Sequence, residues 1–138
     1  MFERWLKKSY RYENTRRYPR LPAAWPIRCT PEAAPPGNPH VTATRDVSAG
    51  GVAMVAREMV PVGSRIRIEI HALPLNRTLA AHGQVVRCLP MRRGGFDLGI
   101  RFLEIDPRDR ADLNGAIETL LGPRSRAKQG KSWWRRLP

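Results

Sequence analysis

Two short clusters of polar residues in the sequence have the chemistry of an anion-binding site. Residues 16–20 read RRYPR, and residues 46–51 read DVSAGG. The guanidinium group of arginine forks onto phosphate oxygens or onto the edge of a guanine. Gly50 and Gly51 permit a backbone with positive φ and let the main chain approach a ligand closely. These residue types favour a nucleic acid, a nucleotide or an anionic surface as the partner.

The excess positive charge of the chain is concentrated at its two ends. The 138 residues include 25 Lys and Arg against 12 Asp and Glu, a net charge of +13, and 21 of the cations are arginine. Residues 1–30 have a net charge of +6, residues 122–138 have +6, and the residues between them have +1. A central region so close to neutral argues against a uniformly basic nucleic-acid-binding surface.

The central region has the pattern of an antiparallel β-protein. Ile66, Ile68 and Ile70 alternate with polar residues, so one face of this strand points to a core. The 13 Pro and 11 Gly favour a turn-rich β architecture over a helical bundle. We predict six strands, at residues 25–30, 41–44, 51–56, 65–70, 79–88 and 96–102. The expected fold is mainly β, a small six-stranded antiparallel barrel or sandwich.

One helix is indicated near the C-terminus. Asp106 is a good N-cap, and Pro107 fits the first helical position. Apolar residues then recur from Leu113 to Leu121 at helical spacing, and Gly122-Pro123 ends the pattern. This helix is expected to cover one opening of the β unit.

A predicted hairpin brings the two polar clusters together. If the first two strands turn at residues 35–38, paired residue numbers sum to about 73, which places Ile27 near Asp46. The arginines of residues 16–20 lie a few residues upstream of Ile27. They are therefore expected to approach the second cluster and form one site with it.

The ordered pair of clusters on this strand pattern resembles the PilZ domain, the bacterial receptor module for cyclic di-GMP. An RxxxR motif is followed about 25 residues later by a DxSxxG motif. Other segments that match the family are GGVAMVA at 50–56, VGSRIRIEI at 62–70, GQVVRC at 83–88 and FDLGIRFLEID at 96–106. The resemblance covers roughly residues 15–121 and implies a six-stranded antiparallel β-barrel with a C-terminal capping helix.

The resemblance also implies roles for individual residues. Arg16 and Arg20 fork onto phosphate or guanine, or stack on it, and Arg17 is an auxiliary arginine. The Asp46 carboxylate accepts the N1–H and N2–H of a guanine, and the Ser48 hydroxyl binds a phosphate or guanine atom. The predicted ligand-binding residues are Arg16, Arg17, Arg20, Asp46, Ser48, Gly50 and Gly51.

Each cluster has a simpler interpretation as well. The arginines could be a solvated basic stretch. Asp46 and Ser48 could form an Asx or Ser turn between two strands, with Gly50 and Gly51 as its positive-φ residues. Such a turn is compatible with ligand binding, and turn chemistry alone does not require the upstream arginines.

The function that the resemblance implies is a non-catalytic cyclic di-GMP receptor. Its N-terminal arm, residues 1–20, would become ordered on binding and change a surface that a downstream protein recognises. The alternatives are a small β-barrel nucleic-acid-binding protein and a PilZ-type adaptor that does not bind the nucleotide. Phe96 and Phe102 fall on an inward-facing alternation, which argues against a base-stacking surface. No nucleophile elbow or P-loop is found, so neither an enzyme nor a catalytic cofactor is expected.

The two ends are interpreted as segments outside the domain of residues 15–121. Residues 1–14 form a basic amphipathic segment with Phe2, Trp5 and Leu6 on one helical face, and residues 122–138 form a basic tail containing Trp and Arg. Binding of these ends to an anionic membrane surface is one hypothesis. Packing on the barrel and a disordered tail are the alternatives. Without a spanning segment or a secretory h-region, we expect a cytoplasmic protein, in one hypothesis peripheral at the inner membrane surface.

The histidines and cysteines suggest no metal site. His40, His71 and His82 lack the spacing of a metal triad. Cys29 and Cys88 lack a CxxC context and are expected to be reduced apolar residues on strands.

Overall fold

A computed structural model describes residues 18–33 and 38–127, and these form seven strands and one long helix. The strands are β1 (Leu21–Pro22), β2 (Pro26–Pro31), β3 (His40–Ser48), β4 (Gly51–Ala56), β5 (Arg65–Ala72), β6 (Arg77–Pro90) and β7 (Phe96–Ile105). A short 3₁₀ turn (Leu73–Leu75) joins β5 to β6, and the helix α1 (Pro107–Ala127) follows β7. The segments at residues 1–14 and 128–138, together with Arg16 and Arg17, lie outside the described residues.

The strands close into an antiparallel barrel. They are hydrogen-bonded in the order β1-β3-β2-β5-β6-β7-β4, and β3 also pairs with β4. That additional pairing joins the two ends of the sheet and leaves β1 as an outer strand on β3. The predicted six-stranded barrel is therefore confirmed, and each predicted strand corresponds to one barrel strand. The two-residue β1 was not predicted, since it is too short to show a periodicity.

Apolar side chains from the alternating strands fill the barrel. The inward set includes Ile66, Ile68 and Ile70 of β5 and Leu98 and Ile100 of β7. Burial of such side chains from water is the main stabilising contribution to a domain of this size. Phe102 is buried and Phe96 packs partly against the core, as the alternation predicted. Leu113 and Ile117 of α1 are fully buried and belong to the same core, so the helix packs on the barrel.

The start of α1 is capped by an aspartate. Asp106 Oδ1 accepts hydrogen bonds from the backbone N–H groups of Arg108 at 2.8 Å and Asp109 at 3.4 Å. These bonds satisfy two of the amide groups that a helix start leaves without partners. The helix is interrupted at Gly122, whose φ is 76° and ψ is 164°, where the sequence predicted its end. The chain then resumes helical geometry to Ala127.

The predicted register of the first hairpin is wrong by about four residues. Ile27 pairs with Thr42, and Asp46 lies opposite Pro22 of β1. The prediction assumed a turn at residues 35–38, whereas the last pair of β2 with β3 is Cys29 with His40, and β2 stays hydrogen-bonded to β5 as far as Pro31. Asp46 is therefore paired with a residue nearer to the arginines, Pro22 instead of Ile27.

Neither cysteine forms a disulfide. Cys29 is fully buried, and its thiol donates to Met54 Sδ at 3.2 Å. Within the described residues, His, Cys, Asp and Glu form no cluster that could hold a metal ion. Over the same residues, no helix combines the length and the apolar character needed to cross a membrane.

Candidate functional site

A β-bulge in β3 turns Asp46 toward the outside of the barrel. Thr44 pairs with Met54, but Asp46 pairs with Ala53, so Arg45 is an extra residue in the strand. An extra residue shifts the inward and outward alternation by one position. As a result Thr44 and Val47 are both buried, and Asp46 between them keeps a partly exposed side chain.

Asp46 contacts Arg20, the last residue of the first motif. Because β1 pairs with β3 in the register Pro22 to Asp46, the residues just before β1 are carried alongside the aspartate. Arg20 Nη1 lies 3.7 Å from Asp46 Oδ1. Arg20 and Asp46 are 26 residues apart in the sequence. Their contact brings the two motifs together, as predicted.

The loop between β3 and β4 is a serine turn that places its backbone tightly on the barrel. Ser48 Oγ accepts the Gly50 N–H at 3.1 Å and donates to the Gly51 carbonyl at 3.4 Å. The expectation of positive φ at Gly50 and Gly51 is wrong, because the described glycines with positive φ are Gly63, Gly94, Gly95 and Gly122. Glycine is explained at both positions instead by the close approach of neighbouring atoms, which leaves little room for a side chain. A Cβ at Gly51 would lie 2.2 Å from the Ile100 carbonyl oxygen, and one at Gly50 would lie 3.2 Å from the Tyr18 ring.

A cavity of about 340 Å³ lies on the outer face of the barrel at this loop. Five of the predicted site residues line it, namely Arg20, Asp46, Ser48, Gly50 and Gly51. Arg16 and Arg17, the other two, are outside the described residues. The cavity also has apolar walls, to which Val52, Ala53 and Phe102 contribute.

Three further arginines line the same cavity, and sequence reasoning missed all of them: Arg87, Arg101 and Arg110. Arg87 follows a second bulge, since Val85 pairs with Ile100 while Arg87 pairs with Gly99. A Cβ at Gly99 would be 3.1 Å from the Arg87 guanidinium carbon, so the arginine lies across that glycine. Arg87 Nε is 3.3 Å from Asp97 Oδ2, which fixes its direction along β7.

The other two arginines come from β7 and α1. Arg101 lies beside Gly51 in the register of β4 and β7. Arg110, in the first turns of α1, donates from Nε to the Ala49 carbonyl at 3.1 Å. Its guanidinium carbon is 5.8 Å from the centre of the Tyr18 ring. The described lining therefore has four arginines and one carboxylate, which makes the cavity electropositive.

Comparison with known protein families assigns this architecture. The family model of the PilZ domain matches residues 14–119. The chain belongs to the PilZ domain family. The match includes both motifs and every barrel strand of the PilZ domain described above. No curated protein sequence matches the chain.

Solved structures share the PilZ fold at low sequence identity. The inhibitor of motility MotI/DgrA of Bacillus subtilis is 23% identical, with a TM-score of 0.67, over 79% of this chain and 53% of that one. The PilZ domain of YcgR from Escherichia coli with c-di-GMP is 21% identical, with a TM-score of 0.55, over 85% and 98%. YcgR in complex with c-di-GMP is 24% identical, with a TM-score of 0.61, over 88% and 50%. This chain thus spans about half the length of the MotI/DgrA and YcgR chains.

The sequence contained a partial signal for the missed arginines of the PilZ cavity. In the alternating pattern of β7, Asp97, Gly99 and Arg101 lie on the outer face of the strand. Leu98 and Ile100 lie on the face toward the core. Knowledge of the β4 to β7 pairing would have placed Arg101 beside the DxSxxG motif. Arg87 had no such signal, because its direction depends on a bulge that the alternation does not reveal.

Proposed function

We propose that this chain is a non-catalytic receptor that binds cyclic di-GMP in the cavity between its two motifs. The observation that carries the proposal is the meeting of Arg20, Asp46 and the Ser48 turn around one electropositive cavity. The cavity volume falls at the lower end of the range for small-molecule sites. The PilZ domain of YcgR, which has the same fold, was solved with c-di-GMP.

The charges of the cavity suit a ligand with two phosphates and two guanines. Arginines can bind phosphate oxygens bidentately, and they can also fork onto guanine O6 and N7. Asp46 is the acidic residue of the lining and would accept the guanine N1–H and N2–H donors. Ser48 would bond to a phosphate or a guanine atom. A simple polyanion would not need the carboxylate, so Asp46 favours a guanine nucleotide.

Ligand binding would change the contacts of the N-terminal arm. Arg20 is already held at the barrel through Asp46, so a ligand that binds both residues must share or replace their ion pair. We propose that Arg16 and Arg17 complete the site and that the arm becomes more ordered on binding, which changes a surface for a downstream protein. Hydrogen exchange over residues 11–21 is expected to slow when cyclic di-GMP is added. Equal exchange with and without the ligand would refute this switch.

Titration calorimetry with cyclic di-GMP tests the receptor function. The wild type is expected to bind, and Arg20→Ala or Asp46→Asn is expected to weaken binding at least about tenfold, as loss of a charge-assisted hydrogen bond does. Arg28→Ala is the matched control, because Arg28 is an exposed arginine on β2 away from the cavity. Absence of binding by the wild type would refute the proposal. Tight, salt-sensitive binding to an oligonucleotide would favour the nucleic-acid alternative instead.

We propose that the basic ends add a contact with an anionic membrane surface. Support comes from the sequence alone, which places aromatic residues beside cations at both ends. Co-sedimentation with vesicles containing phosphatidylserine compares the full chain with a version ending at Gly122. Weaker binding by the shorter chain is expected, and equal binding would exclude the tail from this role.

A further inference from the structure

Arg110 connects three parts of the site that are far apart in the sequence. It belongs to α1, it donates from Nε to the Ala49 carbonyl within the DxSxxG motif, and its guanidinium lies over the ring of Tyr18 in the arm. The two contacts measure 3.1 Å to the carbonyl oxygen and 5.8 Å to the ring centre. A cation over an aromatic face and a charge-assisted hydrogen bond are both attractive. One side chain thus joins the helix, the loop and the arm.

Tyr18 is held between Arg110 and the loop. Its Cδ2 lies 3.2 Å from the position that a Cβ at Gly50 would take, so the ring packs directly on the glycine backbone. Arg110 approaches the ring within cation–π distance. Arg20 follows two residues later and contacts Asp46. The position of Tyr18 therefore limits where Arg20 can lie.

The helix start that carries Arg110 is itself fixed to the barrel. Arg77, the first residue of β6, makes ion pairs with Asp109 at 3.1 Å and with Asp112 at 2.7 Å. Asp106 caps the same turn. Leu113 anchors it in the core. Because several contacts hold this turn, Arg110 projects from a rigid support rather than from a loop.

We propose that Arg110 is a positioning residue of the ligand site: it clamps Tyr18 onto the DxSxxG loop and so presents Arg20 beside Asp46. This inference rests on the proposed function for its effect on affinity. The clamp itself is a property of the protein without ligand, so it can be measured separately. It also predicts that α1, and not only the arm, takes part in forming the site.

The first experiment measures cyclic di-GMP affinity in Arg110→Ala and in Arg108→Ala. Both variants remove one positive charge from the same helical turn, but Arg108 is exposed and does not line the cavity. Arg110→Ala is expected to weaken binding about tenfold through loss of the cation–π contact and the hydrogen bond, and Arg108→Ala less than about twofold. Equal effects of the two variants would mean that only net charge matters, and would overturn the proposal.

A double-mutant cycle separates positioning from direct ligand contact. If Arg110 acts through Tyr18, the variant Tyr18→Ala with Arg110→Ala should bind more tightly than the sum of the single losses predicts. Fully additive losses would overturn the clamp.

Hydrogen exchange of the protein without ligand makes the clamp testable even if cyclic di-GMP does not bind. The Gly50 amide donates to Ser48 Oγ within the loop that Arg110 holds. Its exchange is expected to accelerate about tenfold in Arg110→Ala and to stay unchanged in Arg108→Ala. Unchanged exchange at Gly50 in both variants would overturn the clamp. Faster exchange in Arg110→Ala together with no binding by the wild type would support the clamp and refute the receptor function.

Discussion

Arg20 Nη1 lies 3.7 Å from Asp46 Oδ1, so the last residue of the RxxxR motif pairs with the first residue of the DxSxxG motif. Both side chains are about one third exposed, with fractions of 30% and 33%. Ion pairs with this much solvent contact add little stability, at most about 1 kcal/mol. Under the proposed function the arrangement would therefore serve recognition more than folding, because it sets a donor and an acceptor side by side at the cavity.

Exchanging the two charges should keep the fold and abolish ligand binding. In Arg20→Asp combined with Asp46→Arg the pair is reversed, so the unfolding midpoint is expected to stay within a few degrees of the wild type. Guanine donors would then meet an arginine and phosphates would meet a carboxylate. We expect the Kd for cyclic di-GMP to rise at least about 100-fold, measured by calorimetry.

The two single variants are the controls for the exchange. Arg20→Asp places two carboxylates together, and Asp46→Arg places two arginines together, so each should be less stable than the double variant. If the double variant bound cyclic di-GMP like the wild type, the contact between these residues would have no part in recognition.

Gly51→Ala should destabilise the barrel. The added Cβ would lie 2.2 Å from the Ile100 carbonyl oxygen, a backbone atom that cannot move without shifting β7. Overpacking of this kind lowers the free energy of unfolding by about 1–3 kcal/mol. Urea denaturation followed by circular dichroism measures the change.

Gly115→Ala is the matched control for that substitution. A Cβ at Gly115 meets nothing within 4 Å, and the residue is exposed in α1. Alanine is the better helix former, so this variant should gain about 0.5–1 kcal/mol. A Gly51→Ala protein as stable as the wild type would show that the strand contact relaxes at little cost.

Much of the barrel could be predicted because its signals are local. The alternation of Ile66, Ile68 and Ile70 identifies a half-buried strand without knowledge of any partner. The Asp106 cap and the break at Gly122 likewise depend only on nearby residues. Membership in the PilZ family also followed from two short motifs in order on a matching strand pattern.

The rest of the site depends on long-range geometry that the sequence pattern does not encode. The bulge at Arg45 reverses the expected phase of β3, and no residue type there signals it. Arg87 and Arg110 reach the cavity from elements that come together only when the barrel closes and α1 packs. The hairpin register was wrong because it was derived from a turn at residues 35–38, whereas the connection between the last paired residues, Cys29 and His40, comprises residues 30–39.

Glu32 should make stability depend on pH in the acid range. Its carboxylate contacts His82 Nδ1 and lies 3.4 Å from Arg65 Nε, and the hydrogen bond from His82 is the main reason that its pKa is lowered from 4.5. A lowered pKa in the folded state gives stability that is present above pH 4.5 and lost as pH falls through the folded value. The pair is at the surface, so the effect is at most about 1 kcal/mol.

Glu32→Gln isolates this contribution. The wild type should be more stable than the variant at about pH 5.5, and the difference should shrink as the pH falls through the lowered pKa of Glu32 and its carboxylate becomes protonated. Glu58→Gln, in the exposed segment after β4, serves as the control. A stability difference that does not decrease as the pH is lowered across the acid range would contradict a role for the carboxylate charge.

The two cysteines should differ sharply in reactivity. Cys29 is fully buried with its thiol donating to Met54 Sδ, and burial raises its pKa to about 12. Only the thiolate reacts with alkylating agents, so Cys29 in the native barrel lacks both the reactive form and access. Cys88 is partly exposed on β6.

At about pH 8 iodoacetamide should therefore label Cys88 first, and Cys29 only at the rate of unfolding, as peptide mass spectrometry would detect. In urea both cysteines should react alike, since the difference in reactivity comes from the fold. Rapid labelling of Cys29 in the native protein would show that the barrel opens at β2 far more often than its packing implies.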